Sequence, residues 1–220
     1  MYRCIQIQCI RFVAHKFDDV VELCRDRRID LLCLAESWHD ADSAMLGRLR
    51  CAGFNVVDRP RRRADTADTT VNHGGVVLIA AAGVVLTPIV IDDQPTTFES
   101  VCVRATVGWF SAVVVVLYRP GSVAVQQKFF FDELATILDR VATYHEPIYI
   151  AGDFNIRLDR PEDPWADNFV SCWTAMGSYF TPRDLPTISA GRWMPSSPTT
   201  SLADPAMWRC RTPGSLTTSC

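Results

Sequence analysis

The sequence lacks the long apolar segments that mark membrane and secreted proteins. No uninterrupted apolar stretch reaches the roughly 18 residues that a membrane-spanning helix needs. The amino-terminal segment, residues 1–13, includes Arg3, Gln6, Gln8 and Arg11, which make it too polar for the apolar part of a signal peptide. We therefore expect an intracellular protein, nuclear or cytoplasmic, that is not secreted and not embedded in a membrane.

The sequence also lacks any C-x-x-C pair, although it contains nine cysteines. Several of them, such as Cys24, Cys33 and Cys102, fall inside apolar runs. We therefore interpret the cysteines mainly as small buried side chains of a protein in a reducing compartment.

Charge of one sign is not in large excess either. The net charge is −3 and the pI is about 5.8, so binding to a polyanion needs a local basic patch. One candidate patch is formed by the arginines at positions 59, 61, 62 and 63. A solvated loop explains these arginines at least as well, because aspartates at positions 58, 65 and 68 partly neutralise them.

Length and periodicity favour a single α/β domain. A chain of 220 residues with 48% hydrophobic content can bury one good core. Helical spacing of apolar residues predicts helices over residues 17–24, 43–51 and 130–141. Strands are predicted over residues 29–35, 75–82, 84–91, 98–107, 111–117 and 148–153. Gly83 and Gly108 indicate antiparallel hairpins, and the order of elements predicts packed sheets covered outside by helices.

Two of the predicted strands lead into acidic residues. An apolar strand runs into Gly-Asp-Phe-Asn at positions 152–155, so Asp153 and Asn155 share one loop. Asp153 can orient or deprotonate a water, and Asn155 can donate a hydrogen bond to a phosphoryl oxygen. The strand over residues 29–35 is followed by Glu36. Two carboxylates at strand ends suit phosphate ester chemistry.

These segments, taken in order, resemble the endonuclease/exonuclease/phosphatase superfamily, and in particular the apurinic-like endonuclease domain of non-LTR retrotransposon polyproteins. The resemblance runs from about Lys16 to Phe169. Its motifs are Lys-Phe-Asp-Asp-Val at 16–20, Leu-Cys-Leu-Ala-Glu-Ser-Trp at 32–38, His-Gly-Gly-Val at 73–76, Tyr-Arg-Pro-Gly-Ser at 118–122 and Gly-Asp-Phe-Asn at 152–155. The resemblance implies a four-layer α/β sandwich of two packed, mostly antiparallel sheets flanked by helices.

The same resemblance implies roles for individual residues. Glu36 would bind Mg²⁺, with Mn²⁺ as an alternative, and the ion would polarise the scissile phosphate. Tyr118 would contact the phosphate or the attacking water, Asp153 would align or activate that water, and Asn155 would stabilise developing charge. Taken alone, Tyr118 is almost equally well explained as a tyrosine at a sheet rim, and His73 is interpreted as a strand entry. The implied substrate is DNA, and we expect a monomer.

The chain departs from the family pattern near both ends. The family has an Asn at the end of its first strand that helps to hold the metal; here Cys9 occupies that position, and its soft sulfur is a poor Mg²⁺ ligand. The closing Gly-Gly-x-Leu-Asp and Ser-Asp-His motifs of the family do not occur. We therefore expect a partial domain over residues 1–186 that lacks the last strands, and an aberrant tail over residues 187–220 without defined structure.

A shifted reading frame accounts for this tail. Trp193 and Met194 have single codons, TGG and ATG, so the shifted triplet that spans them is GAT, which encodes Asp. With permitted third bases, the same offset turns residues 188–194 into Leu-Gly-Gly-Thr-Leu-Asp and residues 214–220 into Leu-Ser-Asp-His-Leu-Leu. We therefore hypothesise a frameshift just before Thr187.

Three functions follow from these observations. The first is an Mg²⁺-dependent endonuclease of retroelement origin that nicks DNA with impaired activity. The second is a catalytically inactive remnant, which Cys9 and the tail favour. The third is a phosphatase of the same superfamily with different substrate loops. A nucleic-acid-binding module would need a basic face that the net charge does not supply.

Overall fold

The computed structural model describes residues 7–11, 17–26, 28–61, 74–121, 126–157, 160, 162–175 and 207–209. Nine strands and four helices occur within these ranges. The strands are β1 (Ile7–Arg11), β2 (Leu31–Ala35), β3 (Asn55–Arg59), β4 (Val76–Ala80), β5 (Val85–Pro88), β6 (Glu99–Val107), β7 (Phe110–Tyr118), β8 (Ile148–Asp153) and β9 (Met207–Arg209). The helices are α1 (Phe17–Asp26), α2 (Ala44–Cys51), α3 (Gln127–Ala142) and α4 (Pro164–Ala175).

The strands form two sheets. The first sheet has the order β1-β2-β4-β3, in which β1 and β2 are parallel and the other neighbours are antiparallel. The second sheet has the order β5-β6-β7-β8-β9, in which β7 and β8 are the parallel pair. Within the described residues, both sheets are therefore mostly antiparallel, as the resemblance implied.

The core is divided into layers by the alternation of side chains along each strand. In β7, Val114 and Val116 face the first sheet and pack in the core between the sheets, whereas Val113 and Val115 pack on the other face beneath α3. The residues of β2 divide in the same way between the inner core and the layer under α1 and α2. Side chains alternate along each strand, and both faces of each sheet are buried. The layers are therefore stacked in the order helices, sheet, sheet, helices. The four-layer α/β sandwich is confirmed.

The helices form where apolar residues recur on one face. In α3, the buried residues are Phe130, Leu134, Ile137, Leu138 and Val141. These positions follow the three- and four-residue spacing of a helix that packs one face on a sheet. The helices predicted over residues 17–24, 43–51 and 130–141 are confirmed as α1, α2 and α3.

The antiparallel hairpin predicted at Gly83 is wrong. Strand β4 lies between β2 and β3 in the first sheet, whereas β5 is an edge strand of the second. Because both edges of β4 are already paired, β4 has no free edge for β5, and the chain passes from one sheet to the other. The hairpin predicted at Gly108 is confirmed, since β6 and β7 are antiparallel neighbours joined there.

Strand β3 and helix α4 have no counterpart in the sequence prediction. Strand β3 is five residues long and carries one short Val56-Val57 pair, too little to establish a period. Helix α4 begins at Pro164, directly after Asp163, whose Oδ1 accepts a hydrogen bond from the Trp165 N–H at 2.9 Å. Aspartate before proline is a helix-start signal that could have revealed α4.

One short segment of the predicted tail has structure. Met207–Arg209 forms β9, which pairs antiparallel with β8. The prediction of a tail without structure is therefore wrong for these three residues, because an open edge of β8 offers backbone groups that a further strand can satisfy. The rest of residues 187–220 lies outside the described residues. Within the described ranges, no helix is long and apolar enough to cross a membrane.

Candidate active site

Three strands end at the same edge of the sandwich, and each brings a polar side chain to it. Glu36 follows the last residue of β2, Tyr118 ends β7 and Asp153 ends β8. The parallel register of β7 and β8 places Tyr118 directly opposite Asp153. The structure therefore brings together the three strand-end residues that the sequence pointed to.

A hydrogen bond between the sheets joins Glu36 to Tyr118. Alternation along β2 would send Glu36 toward the outer helices, since Ala35 packs between the sheets. Glu36 instead has a positive φ of 52°, and its Oε1 accepts a hydrogen bond from the Tyr118 hydroxyl. Both side chains belong to buried residues. Burial first, and then the hydrogen bond to Glu36, raises the pKa of Tyr118 well above its usual value, so the phenol is neutral at physiological pH.

The loop after β8 turns at Asn155. This residue has a φ of 49°, and its backbone N–H donates to Asp153 Oδ1 at 2.9 Å. Its side-chain Nδ2 donates to the carbonyl oxygen of Arg119 at 2.6 Å. Asp153 is half-buried and Asn155 is exposed. The loop therefore presents a carboxylate and a carboxamide at this edge of the sandwich.

Arg119 is the buried residue that supports this loop. Its Nε and Nη2 donate to the carbonyl oxygens of Phe154 and Asn155, each at 2.5 Å. Its guanidinium carbon lies 4.2 Å from the centroid of the Trp165 ring, within the range of a cation–π contact. Burial lowers the pKa of Arg119, and the charge of Asp153 opposes that change. The sequence motif contained Arg119, but nothing local indicated its backbone partners.

Arg61 and Glu99 form a second link between the sheets beside Tyr118. Arg61 follows β3, and its Nε donates to Glu99 Oε1 at 2.5 Å while its Nη2 lies 3.4 Å from Glu99 Oε2. Glu99 is the register partner of Tyr118, and the Arg61 guanidinium carbon is 5.6 Å from the Tyr118 ring centroid. Burial alone would lower the pKa of Arg61, but the hydrogen bonds and charge of Glu99 raise it. Arg61 is thus part of a half-buried network, not of a solvated loop.

Other predicted residues contribute less to this picture. His73 and the arginines at positions 62 and 63 lie outside the described residues. The prediction that Cys9 ends the first strand is wrong, because β1 continues to Arg11 and the backbone of Cys9 pairs with Cys33, three positions before Glu36. No site role was predicted for Ser37, His39 or Asp58, which form a chain of hydrogen bonds next to Glu36. Asp58 lies 19 positions after His39, so no local spacing could have revealed that chain.

A family model described as the endonuclease/exonuclease/phosphatase family matches residues 10–210. The chain belongs to the endonuclease/exonuclease/phosphatase family. The resemblance drawn from the motifs is confirmed at this level. No curated protein matches the sequence significantly.

Solved structures of this family share the fold of the chain. The endonuclease domain of TRAS1, a telomere-specific non-LTR retrotransposon, aligns with a TM-score of 0.60 at 11% identity, covering 95% of this chain and 85% of that one. An AP endonuclease from Archaeoglobus fulgidus aligns with a TM-score of 0.57 at 13% identity, covering 96% and 87%. The human nocturnin catalytic domain with bound sulfate aligns with a TM-score of 0.55 at 16% identity, covering 95% and 83%. At these identities the likeness shows the fold.

Enzymes of the endonuclease/exonuclease/phosphatase family generally use divalent metal ions, and the donor set of this edge fits such an ion. Within the described residues, no three His, Cys, Asp or Glu side chains gather into one cluster. The edge offers the carboxylates of Glu36 and Asp153 instead. Hard oxygen donors suit a hard cation, and Mg²⁺ is usually held by one or two carboxylates while water and substrate complete its shell. The residues present therefore fit a divalent cation.

Proposed function

We propose that this chain is an Mg²⁺-dependent endonuclease that nicks DNA by hydrolysing a phosphodiester bond. We further propose that it derives from a non-LTR retrotransposon and that its activity is impaired. The observation that carries the proposal is the meeting of Glu36, Tyr118 and Asp153 at one edge of the sandwich, with Asn155 two residues beyond Asp153. Membership of the family supports hydrolysis of a phosphate ester.

The proposed roles follow from the contacts of each side chain. Glu36 would hold Mg²⁺, which when bound neutralises charge at the scissile phosphate. Tyr118 orients the Glu36 carboxylate through its hydroxyl, whose oxygen can still accept a hydrogen bond from water. Asp153 accepts a hydrogen bond from the Asn155 N–H and is half-buried, and its carboxylate would align or deprotonate the attacking water. Asn155 keeps one N–H for an oxygen of the transition state.

The retroelement origin rests on the ordered motifs and agrees with the fold likeness to the TRAS1 endonuclease domain. The impairment rests on two departures from the family: Cys9 in place of an amide oxygen donor, and the absence of the closing Ser-Asp-His motif. Groups that act as a unit lose on the order of a thousandfold or more in rate when one member is missing. Sequencing the coding DNA downstream of Pro186 tests the frameshift, and a single frame without the alternate motifs would refute it.

The Cys9 position and the absent Ser-Asp-His motif also favour a second candidate, a remnant without turnover. A nicking assay on supercoiled plasmid with Mg²⁺ separates the two candidates. The wild type is compared with Glu36→Gln and Asp153→Asn, and with Asp26→Asn as a matched control, because Asp26 is an exposed carboxylate at the end of α1.

If the protein is an endonuclease, the wild type and the Asp26→Asn control should nick the plasmid slowly. The Glu36→Gln and Asp153→Asn variants should lose this nicking. Equal inertness of all four proteins establishes the remnant. Turnover of p-nitrophenyl phosphate without nicking of the plasmid would favour a phosphatase of the same family.

A further inference from the structure

A continuous chain of side chains lies next to Glu36 in the first sheet. The Ser37 hydroxyl oxygen is 2.6 Å from His39 Nδ1, and His39 Nε2 is 3.2 Å from Asp58 Oδ2. Asp58 belongs to β3, and its Oδ1 accepts a hydrogen bond from Arg50 Nη2 at 2.6 Å. Ser37 is 0% exposed and His39 is 2% exposed. The chain therefore runs from a fully buried hydroxyl to the edge strand of the sheet.

The order serine, histidine, aspartate is the one that activates a nucleophile in many hydrolases. Burial excludes that use here, because a substrate cannot reach the Ser37 hydroxyl. A Cβ built on Gly75 would lie 2.9 Å from Ser37 Oγ and 3.1 Å from the His39 ring, so the space in front of both side chains is already filled. This chain of hydrogen bonds must therefore act within the protein and not on a substrate.

The part of the protein that this chain can act on is the segment that carries Glu36. Glu36 and Trp38 both have left-handed backbones, with φ of 52° and 48°. Such conformations cost free energy in residues other than glycine and persist when surrounding contacts over-determine them. Here the N–H groups of Ser37 and Trp38 donate to the carbonyl oxygens of Gly75 and Gly74, at 3.2 and 2.8 Å.

The side chains of Ser37 and His39 add a second set of restraints. Ser37 directly follows Glu36, and His39 directly follows Trp38. Ser37 is hydrogen-bonded to His39, which is hydrogen-bonded to Asp58. The hydrogen bond from His39 is the leading cause that keeps the pKa of Asp58 low, and Arg50 adds to it. Asp58 is therefore a carboxylate that accepts a hydrogen bond from His39 Nε2, and the other ring nitrogen of His39 is hydrogen-bonded to the Ser37 hydroxyl. Each bond fixes the direction of the next.

We propose that Ser37, His39 and Asp58 are positioning residues that hold the Glu36 carboxylate in place for a divalent cation. The inference rests on the proposed function, in which Glu36 is the cation's ligand. None of the three side chains needs to touch the ion. Partners that orient a ligand are worth about 10–100-fold in metal affinity, so the chain contributes to binding through Glu36.

The test measures Mn²⁺ binding by the full chain, and electron paramagnetic resonance reports the concentration of free Mn²⁺. This measurement requires no turnover. The variants are Glu36→Gln, His39→Gln and Asp58→Asn, and His145→Gln is the matched control because His145 is an exposed histidine after α3. We expect the His39 and Asp58 variants to raise the Mn²⁺ dissociation constant about 10–100-fold. The control should leave it within twofold. If His39→Gln does not fold, Ser37→Ala, which removes one hydroxyl, is expected to raise the constant in the same direction.

The outcomes separate this inference from the proposed function. Wild-type binding that Glu36→Gln abolishes, with no change beyond twofold in the His39, Asp58 and Ser37 variants, overturns the positioning role and leaves the cation at Glu36. Absence of saturable Mn²⁺ binding, or full binding by Glu36→Gln, overturns both. Circular dichroism and melting temperature measured without metal identify a general loss of structure, and weakened binding in a variant with wild-type melting supports the inference.

Discussion

The loop after β2 and the loop after β8 each carry a carboxylate to the same edge, and each contains a non-glycine residue with positive φ. In the first loop, the N–H groups of Ser37 and Trp38 donate to backbone carbonyl oxygens, and the side chains of Ser37 and His39 are hydrogen-bonded to each other. In the second, Arg119 holds backbone carbonyl oxygens. The first carboxylate is buried against Tyr118, whereas the second remains half-exposed. A buried, fixed carboxylate suits a bound cation, and a half-exposed one suits contact with water.

The largest expected effect compares two glycines that lie beside the two loops: Gly152, inside β8, and Gly75, directly before β4. A Cβ on Gly152 would lie 1.8 Å from the Leu117 carbonyl oxygen, which is backbone, and φ is 147°. On Gly75 the contacts are side chains, at 2.9 Å or more, with φ of 87°. We expect Gly152→Ala to lower the melting temperature by about 10 °C or more, consistent with a loss above about 4 kcal/mol. Gly75→Ala should lower it by less, because side chains can shift.

Gly47→Ala is the control for both glycine variants. No atom lies within 4 Å of a Cβ at Gly47, which is inside α2. Alanine there should stabilise the helix by up to about 1 kcal/mol. Calorimetric melting of the three variants checks this order. A Gly152→Ala protein that melts within about 2 °C of wild type would contradict the close approach of β8 to β7.

The second prediction concerns Arg119, which directly follows β7 and donates hydrogen bonds to the second loop. Arg119→Lys keeps the charge but loses the planar group that reaches two carbonyl oxygens and stacks on Trp165. We expect a loss of about 2–4 kcal/mol in the free energy of unfolding by urea, because the carbonyl oxygens of Phe154 and Asn155 lose their donor. Arg140→Lys, on the exposed side of α3, should change it by less than about 0.5 kcal/mol. Equal stability of the two variants would show that the second loop does not depend on Arg119.

The third prediction concerns Glu133, a carboxylate that lies outside both loops and serves as a reference for them. The Glu133 carboxylate of α3 accepts hydrogen bonds from the N–H and Oγ1 of both Thr96 and Thr97, at 2.5 to 2.9 Å. Burial would raise the pKa of Glu133, but these bonds hold it below its usual value. The stabilisation is therefore present above the unfolded pKa of about 4.3 and is lost as pH falls through the lower folded value.

Glu133→Gln should melt a few degrees below wild type at pH 7, and this difference should shrink below about pH 4.3. Melting curves from pH 7 to pH 3 provide the measurement. Glu146→Gln, which breaks the surface pair with Arg104, is the control. A difference that stays constant over this range would mean that the charge of Glu133 does not hold the threonines.

The smallest expected effect concerns the pair that links the sheets beside Tyr118. Glu99→Gln and Arg61→Gln should each destabilise the fold by about 1 kcal/mol, since the pair is half-buried. The double variant should cost less than the sum of the two, by about 0.5 kcal/mol or more. Strict additivity in urea unfolding would show that the two side chains do not act as a pair.

Local patterns predicted the parts of this fold that depend on neighbouring residues. The sequence predicted the apolar stripe of α3, the apolar runs of β2 and β8, and the acids at the ends of those strands. The sheet to which β5 belongs was not, because it depends on which edges other strands leave open. The partnership of His39 with Asp58 likewise requires β3 to lie beside β4 in the correct register. Such non-local pairing has no signature in the spacing of either residue.

The neutral phenol of Tyr118 has a consequence for what this edge of the molecule can attract. A deprotonated tyrosine would add a third negative charge beside Glu36 and Asp153 and would repel any anion that approaches. The Tyr118 phenol is protonated across the physiological range of pH, and burial and Glu36 raise its pKa further, so that repulsion is absent. A single divalent cation bound there, as proposed, would balance the two carboxylates and would leave no residual like charge to repel an anionic substrate.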